Sequence, residues 1–94
     1  MAEHQRITIE LFGIPRLRAG VAEFSLAVTL PCRLSDVFRE IEAVRPQLGK
    51  ELFAEGELRK EFIANVSGKV FTRSPDYEIE PADSVLILSS DAGG

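Results

Sequence analysis

The chain has 94 residues, 45% of them hydrophobic and 28% charged, a mix that fits one globular domain and excludes a disordered or collagen-like polymer. Its net charge of −4 is the wrong sign for a general nucleic-acid binder. A single cysteine, Cys32, excludes an internal disulfide framework and any multi-cysteine zinc site.

After a polar start (Met1 to Gln5) that holds the only histidine, His4, and is expected to be mobile, Arg6 to Gly13 alternates. Ile7, Ile9 and Leu11 face one way and Thr8, Glu10 and Phe12 the other, the period-2 pattern of a half-buried strand. Pro15 and Gly20 bracket a basic turn with Arg16 and Arg18, and Glu23 to Thr29 alternates again through Phe24, Leu26 and Val28. The economical reading is a first hairpin with its loop near Ile14 to Val21.

At Pro31 the period changes. Leu34, Val37, Phe38, Ile41 and Val44 fall at helical spacing, with Asp36 in the first turn and Arg45 in the last, both favourable to the helix dipole. Pro46 stops this helix or starts the next turn. Leu48, Leu52 and Phe53 allow a short second helical turn, which Gly56 breaks. Glu61 to Val66 returns to strand, Ser67-Gly68-Lys69 is a tight-turn signature, and Val70 to Arg73 is the returning strand. Pro81-Ala82-Asp83 marks another turn before the last strand, Ser84 to Ser89.

The longest apolar run is Val85-Leu86-Ile87-Leu88, far short of the roughly 18 residues that a membrane span needs. No charged-then-apolar leader opens the chain, so the expectation is a cytoplasmic protein that binds neither membrane nor nucleic acid.

A hairpin, one long amphipathic helix and further strands make an α+β domain, a sheet of about five strands packed on one main helix. The helix stripe covers one sheet face, where Ile7, Ile9, Leu11, Val85 and Ile87 are the counter-surface. By strand parity Phe12, Leu86 and Leu88 point to the other face, as an apolar binding patch or as a surface that loops or the second helical segment cover.

Internal chemistry is scarce. With no histidine expected inside the fold, a serine or cysteine triad has no base. No spaced acidic loop suggests a metal, and no glycine-rich loop suggests a bound phosphate, so no resident metal or cofactor is expected. Cys32 precedes the helix, where a thiolate could be stabilised, but a lone thiol is more simply structural. The end of the chain is different. Two of the seven glycines are the last two residues, Gly93 and Gly94, after Ser89-Ser90-Asp91-Ala92. Glycine lacks a Cβ, so such a tail can thread a narrow channel and deliver its carboxylate to chemistry done elsewhere. A carboxylate is a poor acyl donor until adenylation gives it a good leaving group, and an oxygen-to-sulfur exchange would make it a soft nucleophile.

These features together resemble the ubiquitin-like sulfur-carrier family, which includes the molybdopterin-synthase small subunit and the thiamine-pathway sulfur carrier. Ile7 to Gly13 followed by Arg16-Leu17-Arg18-Ala19-Gly20 looks like that family's first strand and arginine-containing turn. Leu34-Ser35-Asp36-Val37-Phe38 looks like its helix start, and Ile63 to Lys69 like its Asn-bearing hairpin strand. Pro81-Ala82-Asp83-Ser84-Val85 resembles its Gly-Asp-Glu-Val turn, and Ala92-Gly93-Gly94 its terminus. There are two departures: Ser89-Ser90 stands where a stiff proline pair is common, and Ala82 where glycine is usual.

The resemblance implies one β-grasp domain over residues 1–94 with a flexible tail at 89–94. It implies that Gly94 is adenylated by a partner adenylyltransferase using ATP and then thiocarboxylated with sulfur from a donor enzyme. Ala92 and Gly93 would enter the partner's active site, and Phe12 and Leu88 would match the family's partner-contact positions. The segment from Gln47 to Lys60 suits the longer, molybdopterin-type members, in which a large subunit receives the tail. A protein modifier joined to lysines through the same activated Gly94, or a carrier for thiamine or another thio-metabolite, would need the same terminus.

Overall fold

A computed structural model describes residues 3–90. The period-2 segments become strands: β1 (Glu3–Leu11), β2 (Glu23–Leu30), β6 (Phe62–Val66), β7 (Val70–Thr72) and β9 (Val85–Ser89). They form one mixed sheet in the order β2-β1-β9-β6-β7. β1 and β2 are antiparallel with Ile7 opposite Leu26 and Ile9 opposite Phe24. β9 lies parallel to β1, with Ile9 opposite Val85 and Leu11 opposite Ile87, so the first and last strands share the centre of the sheet. β6 pairs antiparallel with both β9 and β7. A parallel neighbour requires a crossover, and the main helix α2 (Leu34–Val44) lies in it.

The expected core is the observed one. Leu34, Val37, Phe38 and Ile41 of α2 are buried, as are Ile7, Ile9, Leu11, Val85 and Ile87 beneath them. Val44, expected at the end of the buried stripe, is exposed instead. It is the last helical residue, and the chain turns at Arg45 before another turn could carry it over the core. Arg45 thus lies just past the helix rather than in its last turn, with its guanidinium 4.4 Å from the Phe24 ring centroid. At the other end Asp36 accepts the Arg33 N–H at 2.9 Å, satisfying one of the donors that a helix start leaves open.

Several short elements depart from the sequence reading. The basic turn is a helix, α1 (Ile14–Ala19), with Pro15 in its first turn and Gly20 as its left-handed cap. The short helical segment expected after Pro46 is present as α3 (Pro46–Leu52), which buries Leu48 and Leu52, but Phe53 lies beyond it in a strand. Gly49 permits the close approach of α3 to α2, since a Cβ there would fall 2.8 Å from Glu42 Cγ and 3.0 Å from its Cα. Two small pairings complete the fold: β3 (Cys32–Arg33) with β8 (Glu78–Ile79), and β4 (Phe53–Ala54) with β5 (Glu57–Leu58). His4 belongs to β1 rather than to a mobile start, with its Nδ1 3.3 Å from the Thr29 hydroxyl.

The turn before β9 carries a measurable strain. Asp83 N–H donates to Glu80 C=O at 3.1 Å across Pro81 and Ala82, and Ala82 has a φ of 70°. Proline at the second position and a positive φ at the third are the marks of a type II turn, whose third position favours glycine. Ala82→Gly is therefore expected to stabilise the fold. The left-handed penalty of alanine is about 1–2 kcal/mol, partly offset by about 0.4–1 kcal/mol of added freedom in the unfolded chain. An increase of roughly 0.5 kcal/mol in chemical denaturation would bear this out, and an unchanged or lower midpoint would refute it.

Candidate functional site

The face of the sheet opposite α2 divides into two halves. Over β2 and most of β1 it is polar, with Arg6, Thr8 and Glu10 opposite Ala27, Ser25 and Glu23. Arg6 Nε donates to Ser25 Oγ at 2.8 Å. Over β9, β6 and β7 it is apolar. The pairing sets Ile63 opposite Leu88, Asn65 opposite Leu86, and Phe71 on the far side of Asn65. Phe12 continues β1 beside β9, its N–H donating to Ile87 C=O at 3.1 Å.

Strand parity placed Phe12, Leu86 and Leu88 on this face, and the register does the same, but their exposure differs. Phe12 is 55% exposed, Leu86 is half-buried and Leu88 is only 8% exposed. Leu88, opposite Ile63 of β6 and one step past the last β1–β9 pair, is the buried member of the patch, and Phe12 is an exposed one. Phe71, 58% exposed, is an apolar member that sequence reasoning missed. A signal for it existed. The Ser67-Gly68 turn, with positive φ at both residues, fixes Val66 opposite Val70 and hence Phe71 on the same face as Ile63. Ile14 and Leu17 of α1 add exposed apolar surface next to the end of β9.

The end of β9 is where the chain leaves the sheet. Ser89 lies within the strand, close to Gly13, where an added Cβ would sit 3.9 Å from Ser89 Oγ. Ser90 N–H donates to Glu61 C=O at 2.8 Å, and its hydroxyl to Lys60 C=O at 3.3 Å. Ser89 and Ser90, assigned to the tail on sequence, are thus held on the sheet by β6 and the loop before it. Ala92, Gly93 and Gly94 lie outside the described residues. Three arginines of this region and of α1 are engaged in contacts of their own. Arg18 pairs with Glu51 at 2.6 Å, Arg59 donates to Lys50 C=O at 3.0 Å, and Arg73 donates to Arg59 C=O at 2.6 Å.

The opposite end of β9 is braced by Asp83. One carboxylate oxygen accepts the Ser67 hydroxyl at 2.6 Å and the other accepts Glu80 N–H at 2.8 Å, while Ser67 Oγ accepts Ser84 N–H at 3.1 Å. The last strand is therefore pinned at its entry and ordered to its exit. A groove of about 610 Å³ is lined by Cys32, Asp36, Glu78 and Pro81 among others.

Cys32 is buried, and burial, reinforced by the negative charge of Asp36, pushes its thiol above the ordinary range. Any stabilisation of a thiolate by the helix start is outweighed by desolvation and by that carboxylate, in line with the structural reading of this lone thiol. A raised value keeps the thiol protonated at neutral pH. Alkylation should therefore be slower than for a free cysteine at pH 8, and should climb only as the solution becomes more alkaline than a free thiol requires. Full-rate labelling at pH 8 would contradict the burial. No cluster of three or more His, Cys, Asp or Glu side chains able to hold a metal occurs among the described residues. None of their helices is long and apolar enough to cross a membrane.

No family model matches the chain, and no curated protein matches it. Solved structures do. The crystal structure of SAMP1 from Haloferax volcanii superposes with a TM-score of 0.79 at 18% identity, covering 96% of this chain and 100% of that one. The Amycolatopsis orientalis BexX/CysO complex contains a chain that matches with a TM-score of 0.71 at 18% identity, over 94% of this chain and 99% of that one. A putative molybdopterin converting factor, subunit 1, from Pyrococcus furiosus matches with a TM-score of 0.70 at 23% identity, over 89% and 95%. Together with the mixed five-stranded sheet and its crossover helix, these matches over nearly the whole length establish that the chain has the ubiquitin-like β-grasp fold.

Proposed function

We propose that this protein is a cytoplasmic sulfur carrier whose reactive group is its own terminal carboxylate, serving as the small subunit of a molybdopterin synthase. The observation that carries the reading is the hand-off at the end of β9. A strand fixed in the centre of the sheet, with an exposed apolar patch on its open face, carries the chain to Ser90, and the sequence continues Asp91-Ala92-Gly93-Gly94. In the reaction, the Gly94 carboxylate attacks the α-phosphate of ATP on a partner adenylyltransferase, forming an acyl-adenylate and releasing pyrophosphate. Hydrosulfide released by a donor enzyme then adds to the acyl carbonyl and displaces AMP, leaving the thiocarboxylate and giving its proton to solvent. The partner supplies the catalytic groups, and this chain supplies a slender acyl donor and the surface that docks it. Phe12 and Phe71 would make the contacts, with Leu88 supporting them from below. The likeness to a putative molybdopterin converting factor subunit and to a chain of the BexX/CysO complex supports a role in delivery to partners.

The test is incubation with an activating enzyme, ATP and a sulfide source, followed by intact-mass measurement. The mass should rise by the replacement of one oxygen with sulfur, and Phe12→Asp should slow that rise without unfolding the domain. No shift with any of several activating enzymes would refute the proposal. The likeness to SAMP1, and to a small archaeal modifier protein from Methanosarcina acetivorans at 20% identity and a TM-score of 0.75, favours a second reading, conjugation of Gly94 to lysines. Gly-Gly remnants on cellular lysines that disappear when this chain is deleted would select it.

A further inference from the structure

The two edges of the five-stranded sheet are built differently. β7, at one edge, is three residues long and flanked by Lys69 and Arg73. Shortness and charge are ordinary devices that keep a sheet edge from recruiting another strand. β2, at the other edge, is eight residues long, and from Phe24 to Leu30 it contains no charge, no proline and no glycine.

Which main-chain groups of β2 face outward follows from its ladder with β1. Leu11 N–H donates to Ala22 C=O at 2.8 Å, one step beyond the Glu10–Glu23 pair. Bonded and non-bonded pairs alternate in an antiparallel ladder, so the even-numbered residues of β2 turn their N–H and C=O groups toward β1. Glu23, Ser25, Ala27 and Thr29 turn theirs away from the sheet. None of the turn, loop or cap hydrogen bonds among the described residues reaches those groups. The side chains of the same four residues are exposed.

We infer that β2 pairs antiparallel with β2 of a second copy of this chain, about a two-fold axis, joining the two sheets into one. The outward set is centred on Leu26. The register that uses all of it sets Glu23 opposite Thr29 of the second copy and Ser25 opposite Ala27. Glu23, the only charged residue of the strand, then meets a hydroxyl rather than its own counterpart. On the core side, half-buried Phe24 comes opposite Val28 of the second copy. Shifting two residues later would set Glu23 against Pro31, which has no N–H to give. The two-fold pairing consumes both bare edges and stops there, so it closes at a dimer. β1 separates this edge from β9, leaving the apolar patch and the tail exit free in both copies.

The test is sedimentation equilibrium of the full chain at loadings raised to about 1 mM, where weak edge pairing registers. The average mass should climb from monomer toward dimer, and the amides of Ser25, Ala27 and Thr29 should exchange more slowly at high concentration. Ala27→Pro removes an outward N–H and none that β1 uses, and should hold the protein as a folded monomer. Ser25→Lys combined with Ala27→Lys should do the same with an unaltered backbone, by setting lysines against lysines. Phe71→Asp, near the other edge, should dimerise as the wild type does. A wild type that stays monomeric throughout, or a double-lysine variant that associates as strongly as wild type, would overturn the inference. So would an association lost in Phe71→Asp and kept in the lysine variant.

Discussion

Deleting Gly94 should leave a protein that folds as before and gains no sulfur. The last strand ends at Ser89, Ser90 is held by the loop before β6, and the buried core lies wholly within residues 7–88. The proposed chemistry, by contrast, depends on the final glycine. One residue of extended chain spans about 3.3–3.6 Å, so with the domain docked in the same place the new carboxylate stops that far short of the phosphate it must attack. Misplacement by about 1 Å can already cost about a hundredfold in rate, so the truncated chain should show no mass change on the timescale that converts the full chain. An unchanged thermal midpoint alongside the lost mass shift separates a missing acyl group from a damaged fold. A truncated chain that is thiocarboxylated at a comparable rate would place the reactive group elsewhere and sink the proposed function.

Phe38→Ala should produce the largest loss of stability. Phe38 is 1% exposed, and its ring centroid lies 4.8 Å from that of Phe53 at a tilt of 34°. That contact ties α2 to the start of the β4–β5 hairpin. Truncating a buried phenylalanine costs about 3–5 kcal/mol through lost burial and the cavity left behind. Domains of this kind have only about 5–15 kcal/mol in all, so a variant near the lower end would sit at the edge of unfolding. For a chain of this length the midpoint should fall by roughly 12–40 °C. Phe71→Ala is the contrast, because Phe71 is 58% exposed and its removal should change stability by about 0.5 kcal/mol or less. Comparable losses in the two variants would mean that the aromatic residues are not divided between core and surface as described.

The parts of the fold that could be read in advance are those where one physical signal repeats. Ile7, Ile9 and Leu11, or Leu34, Val37, Phe38 and Ile41, each sample the same face several times, so burial imposes a visible period. Two-residue pairings leave no period. Cys32–Arg33 with Glu78–Ile79, and Phe53–Ala54 with Glu57–Leu58, are set by tertiary packing and by turns whose strain does not show in residue type. Glu55 at a φ of 54° is such a case. The helix Ile14–Ala19 hid for another reason: Ile14 and Leu17 stay exposed, so it has no buried stripe, although Pro15 and Gly20 stood at the positions that start and stop a helix. For the candidate site, parity gave the correct face for Phe12 and Leu88 but not their depth. Depth depends on which residues flank a position across the sheet, and Ile63 opposite Leu88 is a fact of register. The terminal glycines suggested a slender acyl donor on their own chemistry, and the family resemblance gave that suggestion its specific reaction, but the described residues end before them.

The position of β9 also has a mechanical consequence. Because β1 lies on one side of it and β6 on the other, a pull applied along the strand from the tail would load both ladders at once. The interstrand bonds run across the strand and would be loaded together in shear, whereas a strand peeled from an edge breaks its bonds one at a time. If a partner of the proposed kind gripped the tail and drew it inward, it would drag the whole domain against itself before it could unravel the last strand, and traction would become a means of seating.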